Sequence, residues 1–373
     1  MAHKIFSDAE RLRERSRYAE ALLLYKKALA VFRRACDSEG VIDSLLSIGD
    51  TSRMVGDFLQ AKKAYGEAIS LSAALRDRLK RADAMVGSGL SLRALGEWKR
   101  ALDLFSKARN IYKKETDKFG IAFTLWAEGG AFRVGGDLRS AISSFRKAKK
   151  IYESFLPAKI VSGSASCEVS DAQRAIGYCL CGLGGVSRVS GKFDDSLGYY
   201  EEANRLFSSI RDAFGSAYSH CGIGNALRMK SEYTKGMRHL RRAETIYRSI
   251  GDIVSYSYTI WSMGMICAMT GKLRAAEDCF EKAAGNFRKT RDVRGLIYCR
   301  LGLSELDMLR GDRARAKKRL GAALRGSTQM RFALEGCHSR QLLNHLGDKG
   351  ADDKCYRALG SRLRFGAFPF NIP

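Results

Sequence analysis

The chain has 373 residues, of which 45% are hydrophobic and 28% charged, as in a folded protein and unlike a disordered one. It contains only three prolines, Pro157, Pro369 and Pro373, and so few helix breakers favour an almost entirely helical chain. Lys and Arg total 65 against 40 Asp and Glu, a net charge of +25. This excess favours an acidic partner, which could be a protein segment, a nucleic acid or an anionic membrane surface.

The first residues, MAHKIFSDAERLRERSRYAEALLL, lack the apolar core of a signal peptide. No uninterrupted apolar run approaches the length of a membrane span. The ten cysteines lie mostly within amphipathic helical segments and form no CxxC pair, so we expect neither a disulfide framework nor a zinc site. These features predict a cytoplasmic protein.

Eight related sequence phrases follow one another along the chain. They begin at Ser16, Gly56, Gly96, Gly136, Gly191, Ser231, Gly271 and Gly311. Each step is 40 residues except the step from Gly136 to Gly191, which is 55 residues, so about 15 additional residues separate two blocks of four units. A recurrent period of this length indicates a helical repeat array.

Each unit resolves into two helices. In the third unit Trp98, Ala101, Phe105 and Ala108 are spaced by 3, 4 and 3 residues and therefore share one helical face. A glycine also stands seven residues before the turn in six units: Gly49, Gly89, Gly129, Gly184, Gly224 and Gly264. Because a mid-helix glycine costs roughly 1 kcal/mol relative to alanine, we predict that a bulky side chain of the partner helix packs against each. Aspartates that end the linking turns, such as Asp77, are expected to cap the following helix.

This order of glycine, aromatic and alanine positions resembles the signature of the tetratricopeptide repeat family, from residue 1 to about 325, with a degenerate ninth unit to about 365. The units have 40 residues where the common repeat has about 34, and they lack its terminal proline. They are therefore similar to the long-repeat branch found in cell-polarity scaffolds, kinesin light chains and bacterial regulators. The resemblance implies an all-α, right-handed superhelical solenoid of about eight helix pairs plus a degenerate C-terminal capping pair, in which the first helices line a concave groove.

The predicted organisation is a block of four repeats over residues 1–153, an inserted loop over 154–170, a second block of four over 171–328, a capping repeat over 329–365 and an apolar tail over 366–373. Pro157 and the Ser and Gly content favour a loop in the insertion, either a tolerated surface loop or a hinge or lid over the groove. The tail is expected to pack over the exposed end of the last repeat. Alternatively, it is a short recognition peptide or occupies the groove of a neighbouring copy.

The family geometry places a column of arginines in the groove, three residues before each turn. This arginine column consists of Arg13, Arg53, Arg93, Arg133, Arg188 and Arg228. It either grips carboxylates or phosphates, or pairs with acidic neighbours and caps turns. Aromatic residues at other groove positions serve either packing or ligand binding: Trp126, Tyr178, Tyr218, Tyr258, Trp261 and Tyr298. A third column includes Gly130, Gly185 and Asn225, and its glycines are expected to leave room for a bulky ligand side chain.

No P-loop, dinucleotide-binding glycine motif or nucleophile elbow occurs in a suitable context, so we expect no enzymatic activity, no cofactor and no metal. The prediction is an interaction adaptor or scaffold whose groove holds an acidic or mixed acidic-apolar peptide of a partner protein. The acidic end of that peptide is expected to lie toward the N-terminal units. The alternatives are a nucleic-acid-binding repeat protein that uses its basic surface, which is less favoured, and a peptide-sensing regulator.

Overall fold

The computed structural model describes residues 1–156, 167–347, 353–366 and 368–373. Within these ranges the regular elements are all helices. They are α1 (Ala2–Glu14), α2 (Tyr18–Arg34), α3 (Ser38–Met54), α4 (Phe58–Ala74), α5 (Arg78–Ala94), α6 (Trp98–Lys114), α7 (Lys118–Gly135), α8 (Leu138–Glu153), α9 (Cys167–Val189), α10 (Phe193–Ser209), α11 (Ala213–Met229), α12 (Tyr233–Ile250), α13 (Ile253–Met269), α14 (Leu273–Thr290), α15 (Val293–Leu309), α16 (Arg313–Gln329), α17 (Ala333–Leu346) and α18 (Asp353–Ala358).

Aspartate caps begin the first helices of most units. The Asp77 carboxylate accepts a hydrogen bond from the Lys80 backbone N–H at 3.0 Å, and this satisfies a donor that has no partner within the helix. Arg76, just before it, has a φ of 58°, a left-handed conformation that reverses the chain between the two helices. Asp117, Asp212, Asp252 and Asp292 cap α7, α11, α13 and α15 in the same way. The predicted role of these aspartates is confirmed.

The glycines of the first helices allow close packing of each helix pair. A Cβ atom added at Gly89 would lie 2.4 Å from the Phe105 ring, and one added at Gly129 would lie 2.9 Å from Phe145. The same relation joins Gly49 to Tyr65, Gly184 to Tyr200, Gly224 to Leu240 and Gly264 to Phe280. The prediction that a large side chain fills the space left by each glycine is therefore confirmed.

The helices form two layers. Each odd-numbered helix from α1 to α15 contacts the next odd-numbered helix, whereas each even-numbered helix packs mainly on its odd-numbered neighbours. The odd-numbered helices therefore form the inner layer and the even-numbered helices the outer one. The chain is a right-handed superhelical solenoid, as predicted, and the space that its inner layer encloses is called the groove below.

The superhelix turns far enough for late units to contact early ones. The Trp98 indole N–H donates to the Arg331 carbonyl at 3.3 Å, and the Arg362 N–H donates to the Ser190 carbonyl at 3.1 Å. At a third place, a Cβ atom added to Gly56 would lie 2.8 Å from Thr290. These contacts join residues more than 170 positions apart, so early and late units meet around the groove.

Two expectations need correction. Residues 167–170, which the sequence pattern placed in the inserted loop, belong to α9, because this sequence contains no proline or glycine and extends the helix to 23 residues. Residues 157–166, on which the hinge or lid alternative depends, lie outside the described residues. Cys337 of α17 and Cys355 of α18 form a disulfide with Cα atoms 5.6 Å apart, contrary to the expectation of no disulfide. The pairing arises because α18 folds back onto α17, a tertiary contact with no signal in cysteine spacing.

Candidate functional site

The arginine column begins with residues that have acidic partners. The Arg13 guanidinium on α1 donates to the Glu10 carboxylate, with an Nε–Oε2 distance of 2.9 Å. Arg53 on α3 lies 3.1 Å from the Asp50 carboxylate and 3.4 Å from the Tyr65 hydroxyl. These two arginines therefore follow the alternative in which the column pairs internally.

The middle of the arginine column has no such partners. Within the described parts of the chain, no acidic side chain forms an ion pair with Arg93 of α5, Arg133 of α7 or Arg188 of α9. The Nε–H groups of Arg133 and Arg188 are buried without a hydrogen-bond acceptor. A buried donor without an acceptor costs about 1–3 kcal/mol, and more when it is charged. We call these three residues the central arginines.

The positive charge of Arg93, one of the central arginines, is electrostatically unfavourable. Burial, followed by the positive charges of Arg133 and Arg53, lowers the pKa of Arg93 to about 10. Arg294, which reaches the same region from α15, contributes in the same direction. Like charges at close range in a poorly solvated space repel one another, and an anion placed among them relieves this repulsion.

The groove glycines accommodate these guanidinium groups. A Cβ atom at Gly130 would lie 2.1 Å from Arg93 Nη1, and one at Gly185 would lie 2.8 Å from Arg133 Nη1. Arg93 also stacks over the Trp126 ring, with its Cζ atom 5.8 Å from the ring centroid. The expectation that Gly130 and Gly185 leave room for a ligand is therefore wrong, because the neighbouring arginines fill that space.

The arginine column ends at Arg228, which is fully buried. Its guanidinium donates to Asn225 Oδ1 at 3.2–3.3 Å and lies 5.6 Å from the centroid of the Trp261 ring. Burial, followed by the charge of Arg188, lowers the pKa of Arg228 to about 9. Asn225 thus orients this arginine through its side-chain oxygen.

The aromatic residues of the groove make many contacts between units. The indole N–H of Trp126 donates to the Tyr178 carbonyl at 3.3 Å, and that of Trp261 donates to the Tyr298 carbonyl at 3.0 Å. The Tyr258 hydroxyl donates to the Asp292 carboxylate at 3.0 Å. Tyr178 packs against Phe207 and Tyr218, with ring centroids 4.9 and 6.5 Å apart. These six residues therefore tie successive units together, and their polar atoms are largely satisfied within the fold.

Two groove residues carry weak signals in the sequence. Arg294 pairs with the buried Glu335 at 2.6 Å and stacks on Tyr298. Because Arg294 does not belong to the arginine column, the sequence analysis did not predict its position in the groove. Glu305 of α15 is fully buried and accepts a hydrogen bond from the Phe370 N–H at 3.0 Å. Glu305 does stand in the same column as Asn225 and Gly185, and that register was the only available signal.

The described residues of the tail segment, 366 and 368–373, lie inside the groove and contact the inner layer. The Arg228 guanidinium donates to the Ile372 carbonyl at 2.8 Å and to the Asn371 side-chain oxygen. The side chain of Phe368 stacks on His345 of α17, with ring centroids 4.7 Å apart. The tail therefore packs on α17 of the last unit and also extends to Arg228 and Glu305 of earlier units, which the sequence did not predict, because the closed superhelix brings these residues within its reach.

A second cationic surface lies outside the groove. A cleft of about 1080 Å³ beside α12 is lined by Arg238, Arg241, Arg242 and Lys272, and also by Cys267. These cations are set on a different face from the arginine column. The described residues contain no cluster of three or more side chains that could hold a metal ion. Among the same residues, no helix is long and apolar enough to cross a membrane.

The repeated helix pair, the inner layer and the enclosed basic groove define a helical repeat solenoid. Residues 80–154 match the tetratricopeptide repeat family. This matched segment therefore contains tetratricopeptide repeats, and it lies within an array of 40-residue units. No curated protein sequence matches it significantly.

Solved structures with a similar fold cover most of the chain. A Rap conjugation gene regulator of plasmid pLS20, in complex with the Phr* peptide, has 14% identity and a TM-score of 0.63, covering 88% of this chain and 96% of its own. A Rap protein complexed with competence and sporulation factor has 13% identity and a TM-score of 0.59, covering 93% and 98%. NprR in complex with its cognate peptide NprX has 16% identity and a TM-score of 0.55, covering 91% and 99%. At these identities the likeness concerns the fold.

Proposed function

We propose that the chain is a non-enzymatic, cytoplasmic adaptor that holds an acidic peptide segment of a partner protein in its groove. The observation that carries this proposal is the set of central arginines, Arg93, Arg133 and Arg188, which have no anionic partner among the described residues. Carboxylates of the peptide satisfy their free donors and lower their mutual repulsion.

The similar folds support a peptide as the ligand. The Rap regulator of pLS20 and NprR were both solved with a peptide bound, and the enclosed groove of this chain suits an extended segment. The central arginines lie in units three to five, whereas the groove aromatics extend from unit four to unit eight. This offset favours a ligand whose acidic end lies toward the N-terminal units. Among the described residues seven cysteines carry free thiols, which suits a reducing compartment, whereas the Cys337–Cys355 disulfide does not support it.

The proposal is tested with a fluorescent peptide that contains four consecutive glutamates followed by apolar residues. We expect Arg93→Glu plus Arg133→Glu to weaken binding about a hundredfold, because each charged hydrogen bond contributes roughly 1.5–3 kcal/mol. The matched control is Arg139→Glu plus Arg146→Glu, which changes the net charge equally at exposed positions of α8. Fluorescence anisotropy, with circular dichroism to verify folding, measures both variants.

Two outcomes contradict the proposal. Equal weakening in the groove variant and the α8 control shows that general surface charge drives binding. Steeply salt-dependent binding of single-stranded nucleic acids of many sequences, unaffected by the groove variant, favours a nucleic-acid-binding protein instead.

A further inference from the structure

The tail segment occupies a site that the repeats build from four different units. Phe370 and Ile372 are almost fully buried in the same core cluster as Trp261 and Tyr298. The Phe370 ring also meets His345 of α17 edge-on, with centroids 5.2 Å apart. The walls of this site come from α11, α13, α15 and α17, all of the inner layer.

The polar contacts of the tail are specific to its sequence. The Asn371 side chain donates to the Arg228 carbonyl at 2.8 Å, and its oxygen accepts from the Arg228 guanidinium. Glu305 Oε1 accepts from the Phe370 N–H, and the guanidinium of Arg228 donates to the Ile372 carbonyl. An asparagine satisfies both a donor and an acceptor at this point, whereas an aspartate or a leucine cannot.

This site adjoins the C-terminal end of the arginine column. Arg228 is the last residue of that column, and Asn225 and Glu305 belong to the neighbouring groove column. None of the contacts that Arg228 makes with the tail involves a carboxylate, and backbone groups of the tail or of Arg228 take part in most of the hydrogen bonds. Backbone pairing combined with pockets for alternate side chains is how proteins recognise extended peptides.

We propose that the C-terminal half of the groove is a second recognition subsite for an extended segment in which an aromatic residue is followed by asparagine and an aliphatic residue. The tail segment fills this subsite within the same chain, and an external segment of the same chemistry displaces it. This inference deepens the proposed function and rests on it, since it names the apolar part of the ligand that the groove holds.

The experiment uses the full chain and a labelled peptide, FGAFPFNIP, with the sequence of residues 365–373. Phe370→Asp releases the tail, because its new carboxylate would be buried beside Glu305. Gly366→Asp is the matched control, since it places the same charge at an exposed position with open space around it. The tail of the wild type competes with the peptide for the same site, at an effective concentration of about 1 mM. If each binds the released groove with a Kd of about 50 µM, this competition weakens binding of the peptide to the wild type about twentyfold.

We therefore expect the peptide to bind the Phe370→Asp variant about twentyfold more tightly than the wild type or the Gly366→Asp control. The same peptide with leucine in place of its asparagine should lose about tenfold, because it makes neither hydrogen bond with Arg228. Should Phe370→Asp fail to fold, Asn371→Leu releases the tail more gently, because it keeps the apolar contacts.

Equal affinity for the wild type and a folded released variant overturns the inference, as does the absence of peptide binding to any folded released variant. In either case the tail only completes the core. The glutamate-rich peptide, titrated into the same proteins, keeps the two proposals apart. Its failure to bind, together with tight binding of FGAFPFNIP to the released variant, refutes the acidic-ligand proposal and supports the second subsite.

Discussion

Glu305 offers a quantitative test of the packing between the tail and the groove. Its carboxyl group is fully buried; Oε1 accepts from the Phe370 N–H at 3.0 Å, and Oε2 has no hydrogen-bond partner among the described residues. Burial raises the pKa of Glu305 to about 8, although the Phe370 hydrogen bond and the positive charge of Arg228 both act in the opposite direction. The acid is therefore largely protonated in the folded protein at neutral pH.

The sign of the pH effect follows from this raised pKa. In the unfolded chain Glu305 ionises near its ordinary value of about 4.3, whereas in the folded protein it holds its proton up to a pH of about 8. The stability that Glu305 contributes is therefore fully present below its pKa in the unfolded chain. It is lost as the pH rises from that value to the pKa of about 8 in the folded protein. The expected loss is about 1.4 kcal/mol per pH unit, or on the order of 4 kcal/mol between pH 5 and pH 8.

The test compares the wild type with Glu305→Gln, since glutamine has the shape of the protonated acid and no charge. Urea denaturation at pH 5, 6, 7 and 8 and constant ionic strength should give nearly equal free energies of unfolding at pH 5. The variant should then gain about 1.4 kcal/mol over the wild type with each pH unit. Glu281→Gln, at an exposed position of α14, is the control and should show no such trend. A difference between wild type and Glu305→Gln that stays constant with pH would refute the burial of Glu305 beneath the tail.

Two further predictions concern the repeat units. Gly89→Ala should lower the free energy of unfolding by roughly 1–3 kcal/mol, because the added methyl group would lie 2.4 Å from Phe105; in contrast, Gly66→Ala, with open space around it on α4, should raise it by up to about 1 kcal/mol. Thermal denaturation distinguishes the two, and equal effects would contradict the role given to Phe105. Asp77→Ala should cost about 1 kcal/mol through loss of the hydrogen bond to the Lys80 N–H, and Asp77→Asn, which retains an acceptor, should lose less in the same assay.

The repeat itself is predictable in detail from the sequence. Gly89 and Phe105 recur at fixed offsets in the well-formed units, and Asp77 recurs at the linking turns, so the spacing alone predicts their contacts. These interactions join residues within one helix pair or across one turn. The spacing of residues within one unit is therefore sufficient to predict these contacts, and the recurrence of the same spacing in other units strengthens the prediction.

The partners of the arginine column are not predictable in this way. Arg13 and Arg53 have the same register as Arg93 and Arg133, yet only the first two have an acidic residue within reach. Their partners, Glu10 and Asp50, each lie three residues before the arginine on the same helix. The corresponding positions in the next two units are leucine and glycine. From the sequence alone, Gly130 was expected to leave room for a ligand side chain. Nothing in the sequence shows that the Arg93 side chain fills the space beside this glycine.

By itself the sequence determined the helices, their pairing, the 40-residue period and the inner layer that carries the arginines. The tertiary structure alone decided that late units contact early ones, as Trp98 does with Arg331, and that the tail meets Arg228 inside the groove. Superhelical closure depends on the sum of small rotations over many units. A slight change in the rotation per unit would separate residues that lie on the order of 100 positions or more apart, while each helix pair would remain unchanged.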